Sequence, residues 1–215
     1  MKSISEDYFV VEACSALPTS KPVPVASNAA IITSMHPAIF IDRDGVIIEN
    51  RPTYVRSLSE ISFFSQALQG LAQASSSPYK FVLVTNQAGV GKGLIPLEIA
   101  EEINRRVVAE VEKTGGRIDG VFMCPHKPED GCNCRKPCPG LLLQAAQALS
   151  IDLSKSVIIG DSLTDLRAGR LAGVQRVALV RTGRGSQQAQ APEAIELQPF
   201  AVYENLAEAL VDLIH

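Results

Sequence analysis

From Ala38 onward the apolar positions switch repeatedly between two spacings. "AIFI" (38–41), "KFVLVT" (80–85), "DGVFMC" (119–124), "SVIIGD" (156–161) and "QRVALV" (175–180) are short apolar runs of strand length. Between them, "SQALQGLAQAS" (65–75), Pro96 to Lys113, "PGLLLQAAQAL" (139–149) and "LTDLRAGRLAG" (163–173) repeat apolar residues every three or four positions, which is helical spacing. Pro96 opens the second of these helices, Gly115 and Gly116 close it, and Gly173 ends the fourth. "VYENLAEALVDLI" (202–214) predicts an amphipathic last helix. Strands that are almost wholly apolar, alternating with helices, predict a parallel sheet covered on both faces. That is an α/β, Rossmann-like three-layer sandwich.

Residues 1–36 do not follow this pattern. "LPTSKPVPVASNAA" is rich in Pro, Ser and Ala without periodicity and predicts a disordered leader, leaving 37–215 as one domain. Hydrophobic residues at 46% and charged ones at 20% are those of a globular chain with a sizeable core. A net charge of −3 supplies no general attraction to nucleic acid or anionic membranes. No run of eighteen apolar residues is present, so no membrane-spanning helix is expected. "MKSISEDYFV" makes a poor secretory signal. Four of the five cysteines fall between Cys124 and Cys138, a clustering that suits metal ligation in a reducing compartment better than disulfides. The expectation is a cytoplasmic monomer acting on a small molecule.

Ligands of open α/β sheets bind beyond the carboxyl ends of the strands. There the first strand delivers Asp42, Asp44 and Gly45. The second delivers Thr85, Asn86 and Gln87, and the fourth Gly160, Asp161 and, one turn on, Asp165. Lys136 follows the cysteine cluster. Closely spaced carboxylates repel one another and call for a cation. Three of them beside a Gly-rich backbone suit Mg²⁺, and Thr, Asn, Lys and backbone N–H groups suit phosphate oxygens. Together these are the parts needed for phosphoryl transfer, in which a carboxylate can itself be the nucleophile. In isolation the Asp-x-Asp-Gly could be a turn, and Asp161 a helix N-cap. "GVGKG" (89–93) lacks the full phosphate-loop pattern and is expected to be a flexible substrate-side loop.

"DRDGV", "VTNQAGVGKG", "CRKPCPG" and "GDSLTDLRAG", in this order, resemble the haloacid dehalogenase (HAD) superfamily of phosphatases. "CPH…CNCRKP" narrows the resemblance to its small capless subgroup, which contains D-glycero-D-manno-heptose-1,7-bisphosphate 7-phosphatase and histidinol-phosphate phosphatase. The likeness runs from about Ala38 to Gly183. It implies a HAD-like fold without a large cap. It also implies that Asp42 attacks phosphorus and that Asp44 serves as acid and then base. Asp42, the backbone carbonyl of Asp44 and Asp161 would hold Mg²⁺. Thr85 and Asn86 would hold the phosphoryl group, Lys136 would offset charge near Asp42, and Arg135 would meet the substrate. Asp165 is assigned to orienting Lys136 or its loop rather than to the metal. Ser162 stands where some heptose phosphatases carry Lys.

Cys124, His126, Cys132 and Cys134 form C-x-H-x5-C-x-C. Three thiolates and an imidazole close a tetrahedral shell and predict a structural Zn²⁺ in a small loop that cannot fold on a core of its own. Cys138 could replace Cys134 as the fourth ligand. Without a cap, selectivity falls to three loops: Asn50 to Ser57 with Arg51, Tyr54 and Arg56; Gln87 to Gly93 with Lys92; and the zinc loop with Arg135. Their cations could receive a second phosphate or another anionic group, and "YVRS" near Tyr54 resembles the heptose-bisphosphate branch more than the histidinol branch, which implies a phosphorylated sugar as substrate, with histidinol phosphate or a non-catalytic zinc-stabilised binding module as the alternatives.

Overall fold

The computed structural model describes residues 35–214, so nearly all of the predicted leader lies outside the described residues. Among them the elements run β1 (Ala38–Ile41), α1 (Ser65–Gln73), β2 (Lys80–Asn86), α2 (Ala88–Gly91), α3 (Leu97–Lys113), β3 (Gly120–Cys124) and α4 (Gly140–Leu149). They continue with β4 (Val157–Gly160), α5 (Leu163–Ala172), β5 (Arg176–Val180), α6 (Gly185–Gln188), β6 (Ala201–Tyr203) and α7 (Leu206–Leu213). The strands form one six-stranded sheet in the order β3-β2-β1-β4-β5-β6, with every pair parallel. His36 already belongs to the fold: its N–H donates to Ser150 O and its carbonyl accepts from Asp152 N–H.

Period-two alternation in the strands produces the layers. Ile39, Ile41, Phe81, Leu83, Val157 and Ile159 pack to one side with residues of α1, α3 and α7. Ala38, Phe40, Val82, Val84, Ile158 and Leu179 pack to the other with residues of α4 and α5. Both strand faces are therefore buried, as the apolar runs require. Strand order reverses between β1 and β4, where consecutive connections leave the sheet in opposite directions, and that switch point opens a crevice beyond the strand ends.

Two expectations need correction. The "VYENLAEALVDLI" segment does not start as helix. Ala201–Tyr203 form β6 against Ala178–Val180, and Asn205 caps α7 by accepting from Glu208 N–H. A strand of three residues is too short to show a period of its own. The "GVGKG" segment is not an irregular loop: Ala88–Gly91 make a helical turn, and Gly91 N–H donates to Pro125 O. No described helix is long and apolar enough to cross a membrane.

Candidate active site

The first turn after β1 brings its functional groups together through the backbone. Asp42 N–H donates to Ile159 O on β4, which locks that residue beside the switch point. Arg43 O then accepts from the N–H groups of Ile47 and Ile48 and folds the chain back. Gly45 adopts φ +87°, and a Cβ there would lie 2.1 Å from Asp161 Oδ2. Only glycine fits both the conformation and the space.

Asp42, Asp161 and Asp165 offer carboxylate oxygens within 4.8 Å of one another, all buried. Lys136 Nζ lies among them, 2.9 Å from Asp42 Oδ1, 2.6 Å from Asp165 Oδ1 and 2.7 Å from Val84 O. Burial works against its ammonium, but Asp165 and Asp42 outweigh that and hold Lys136 above its usual range. For Asp42 burial dominates, raising its carboxyl despite the opposing Lys136, with Asp165, Asp161 and Asp44 adding to the rise. Asp165 sets Oδ1 2.6 Å from the Lys136 ammonium as an ion pair and accepts at Oδ2 from Ser162 N–H, 3.1 Å away. No hydrogen bond from a described residue reaches Asp42 Oδ2, although Asp42 is only 7% exposed. A carboxylate oxygen free of hydrogen bonds and facing the cleft, beside two further carboxylates, fits a hard cation.

The other predicted site residues are brought to the same place, but several hold one another. Asn86 donates from Nδ2 to Lys136 O and accepts at Oδ1 from Lys136 N–H. Its amide thus clamps the lysine backbone instead of standing free for a phosphate. Gln87 Nε2 donates to Asp44 Oδ2 and Thr85 Oγ1, both at 2.8 Å, so it too is an internal strut. Thr85 is buried, and because its oxygen accepts from Gln87, its hydroxyl proton remains available. Asn50 Nδ2 lies 2.6 Å from Asp161 Oδ2. Arg51 donates twice to Glu60 O, Lys92 donates to Tyr54 OH, and Arg135 Nη1 donates to His126 O. These groups ring a cleft of about 780 Å³ that Asp42 and Asp44 floor and that Asn50, Arg51, Tyr54 and Arg135 line.

Three participants were not predicted. Arg43 is wholly buried; its guanidinium donates to Asp44 through Nη2 at 3.0 Å and to Asn104 Oδ1 through Nη1 at 2.7 Å. Arg184 donates to Asp161 from its backbone N–H at 2.9 Å and from Nη2 at 3.2 Å. Arg43 was visible as the cation between two acids in "DRDG", and Arg184 lies just past the end of β5, where the strand-end rule applies equally. Asn104, mid-helix in α3, gave no signal.

Cys124, His126, Cys132 and Cys134 converge as well. Sγ–Sγ separations are 3.4–3.6 Å, and His126 Nδ1 lies 3.3 Å from Cys134 Sγ and 3.6 Å from Cys124 Sγ. A tetrahedron of Zn–S bonds has edges of roughly 3.7 Å, so the donor set fits that ion. Cys138 is outside the cluster, which removes the alternative fourth ligand.

A family model described as HAD-hydrolase-like matches residues 133–209. The D-glycero-beta-D-manno-heptose-1,7-bisphosphate 7-phosphatase of Bordetella bronchiseptica is 38% identical over 147 residues, 68% of this chain and 82% of its own length. That of Pseudomonas aeruginosa is 37% identical over the same shares. The crystal structure of the B. bronchiseptica D,D-heptose 1,7-bisphosphate phosphatase, complexed with magnesium and phosphate, superposes with a TM-score of 0.75 at 36% identity, covering 82% of this chain and 97% of that one. With the parallel sheet, the carboxylate crevice and these relatives in agreement, the chain belongs to the HAD-like hydrolases and is a phosphatase of that family.

Proposed function

We propose that this enzyme hydrolyses the 7-phosphate of D-glycero-D-manno-heptose 1,7-bisphosphate through an aspartyl-phosphate intermediate, with Mg²⁺ at the crevice and Zn²⁺ in the cysteine loop. The observation that carries the reading is Asp42. Its Oδ1 is held by Lys136 while its Oδ2 is unpartnered at the floor of an anion-receptive cleft. Asp42, Asp161 and the backbone carbonyl of Asp44 would hold the magnesium, which supplies positive charge against the transferring phosphoryl oxygens.

Asp42 Oδ2 attacks phosphorus and the bond to the sugar oxygen breaks. Asp44 gives its proton to that leaving oxygen, then takes one from the water that cleaves the acyl phosphate. Phosphate leaves and the Asp42 carboxylate is restored. Burial raises the Asp42 carboxyl even with Lys136 beside it, so the further positive charge that magnesium would supply is what would keep it an ionised nucleophile. Thr85 is the proposed hydroxyl donor to the phosphoryl group. Asn86 acts by positioning Lys136, and Gln87 and Arg43 by aiming Asp44. Arg51, Tyr54 and Arg135 face the sugar and its second phosphate. The zinc, held by Cys124, His126, Cys132 and Cys134, orders the loop that leads directly into Arg135 and Lys136.

The relatives' names support the β anomer. The test is phosphate release from the α and β bisphosphates and from histidinol phosphate, each with and without Mg²⁺, with Asp42→Asn as the control. Preference for the β bisphosphate supports the reading; faster turnover of histidinol phosphate would replace it.

A further inference from the structure

Of the two buried cations described at the crevice, Arg43 is turned to Asp44 and Asn104, which leaves Lys136 for the three buried carboxylates Asp42, Asp161 and Asp165. Lys136 compensates Asp42 and Asp165: its ammonium donates to Asp42 Oδ1 and Val84 O and lies 2.6 Å from Asp165 Oδ1 as an ion pair. Asp161 is 0% exposed and receives nothing from Lys136. A carboxylate so placed needs a compensating charge, and here that charge is Arg184. Its Nη2 donates to Asp161 Oδ1, and its Nε and backbone N–H reach Oδ2. The two cations differ in how they are held. Lys136 is fixed inside, at 2% side-chain exposure, whereas the Arg184 side chain is 59% exposed on a long stem. The backbone beneath Arg184 is immobilised. Thr182 Oγ1 donates to Gly45 O at 2.6 Å, and Gly183, at φ +60°, packs so closely that a Cβ would lie 2.6 Å from Gly45 Cα. The guanidinium is therefore delivered to Asp161 by a rigid turn and tethered by a movable side chain.

We infer that Arg184 is a displaceable counter-ion: its guanidinium holds Asp161 while the crevice lacks a divalent cation, and it leaves Asp161 Oδ1 when magnesium takes that oxygen. The inference rests on the magnesium site proposed above. Arg184 is thus a positioning residue that competes with the metal, and by linkage its pairing weakens magnesium binding by the factor that magnesium weakens the pairing.

The test is isothermal titration of the zinc-loaded full chain with MgCl₂, without substrate, for wild type, Arg184→Met, Arg184→Lys and Asp161→Asn. Arg184→Met removes the competing charge but keeps the stem and the backbone N–H, so it should bind magnesium about tenfold more tightly. Its magnesium-free form should melt lower than wild type, and its gain in Tm on adding magnesium should be larger. Arg184→Lys should fall between. Zinc content equal to wild type shows that the variants are folded. Unchanged or weaker magnesium binding in Arg184→Met overturns the inference; weaker binding would make Arg184 a supporting partner of the bound metal instead. Undiminished magnesium binding in Asp161→Asn overturns the metal site itself, a separate failure.

Discussion

The carboxylate crevice and the cysteine loop occupy the same edge of the sheet and are built on opposite terms. Asp42 and Asp161 stand at the ends of β1 and β4, and Asp165 in the first turn of α5. Their backbones are set by a buried sheet, and Lys136 and Arg184 offset two of their three charges without any metal. Cys132 and Cys134 sit on a chain segment that is largely exposed from Lys127 to Asn133 and contributes few apolar residues to a core. The Cys134 thiol is pushed up by its hydrogen bond to Cys124 and by burial, so in the absence of metal this sulfur keeps its proton. On the proposed reading one site is ordered first and would bind its ion afterwards, whereas the other would need its ion to be ordered. Losing an ion should therefore cost the crevice its chemistry and the loop its structure.

The sharpest break is Asp42→Asn. An amide cannot attack phosphorus, and removing a nucleophile from a set that acts as a unit costs roughly 10⁴-fold or more in kcat. The fold and the zinc content should be untouched, because the sheet holds this position. Phosphate release with zinc assayed in parallel checks both halves; residual turnover within tenfold of wild type would remove Asp42 as nucleophile.

The complementary break is Cys132→Ser. Structural zinc contributes on the order of 10 kcal/mol to an element of this kind, so the variant should lose its zinc and become susceptible to proteolysis between Pro125 and Arg135. Activity should fall by roughly 10- to 100-fold, less than for Asp42→Asn. Asn86 still grips the Lys136 backbone from both sides of its amide, and Lys136 still has Asp42, Val84 O and Asp165 as partners. Mass spectrometry of the zinc stoichiometry and limited proteolysis decide this. A zinc-free variant with an intact loop would contradict the contrast.

This difference also explains what could be read from the sequence. Five of the six strands were legible as apolar runs, four of them almost wholly buried and the edge strand β3 partly so; β6, three half-buried residues, was not. Metal-type ligands were legible because their chemistry is rare and their spacing is local. The supporting groups were harder to see because their meaning depends on distant contacts. Asn86 reads as a phosphate donor by its place after β2 and Gln87 as the start of a substrate-side loop, yet their amides serve Lys136, 50 residues on, and Asp44, 43 residues back. Arg43 could have been suspected between its two acids, but nothing around Asn104 announces that it meets a buried guanidinium 61 residues away.

That pair gives a smaller test of the claim that the crevice is held by the protein rather than by its ion. Arg43 is fully buried and divides its donors between Asp44 and Asn104. Asn104→Ala leaves one guanidinium N–H unpaired, a cost of about 1–3 kcal/mol. For a chain of this size that corresponds to a fall in Tm of roughly 2–12 °C. Asp44 keeps its pairing but loses the anchor behind it, so kcat should drop several-fold with KM little changed. Thermal melts and steady-state kinetics check it. An unchanged Tm would mean that solvent reaches Arg43 and that the clamp is not a dry one.

The finest distinction concerns protons. Without a divalent cation, burial raises the Asp42 carboxyl to about 7, with Asp165, Asp161 and Asp44 reinforcing the rise against Lys136. A carboxyl raised on folding contributes stability that is complete below the unfolded value of about 4 and is lost as pH climbs through the folded value. The metal-free protein should therefore lose this contribution between about pH 4 and 7, a window in which Lys136 stays charged because its own shift is upward. Magnesium needs the carboxylate, so at pH 5 it must first expel a proton that at pH 8 is already gone. With the carboxyl at about 7 that penalty is roughly a hundredfold in affinity, or about 2.7 kcal/mol, so the magnesium-induced rise in Tm should be about 5–11 °C larger at pH 8 than at pH 5. Scanning calorimetry at both pH values, with and without saturating MgCl₂, measures it directly. Equal increments would show that Asp42 is already ionised at pH 5, and that Lys136 and Arg184 compensate the crevice more fully than its burial implies.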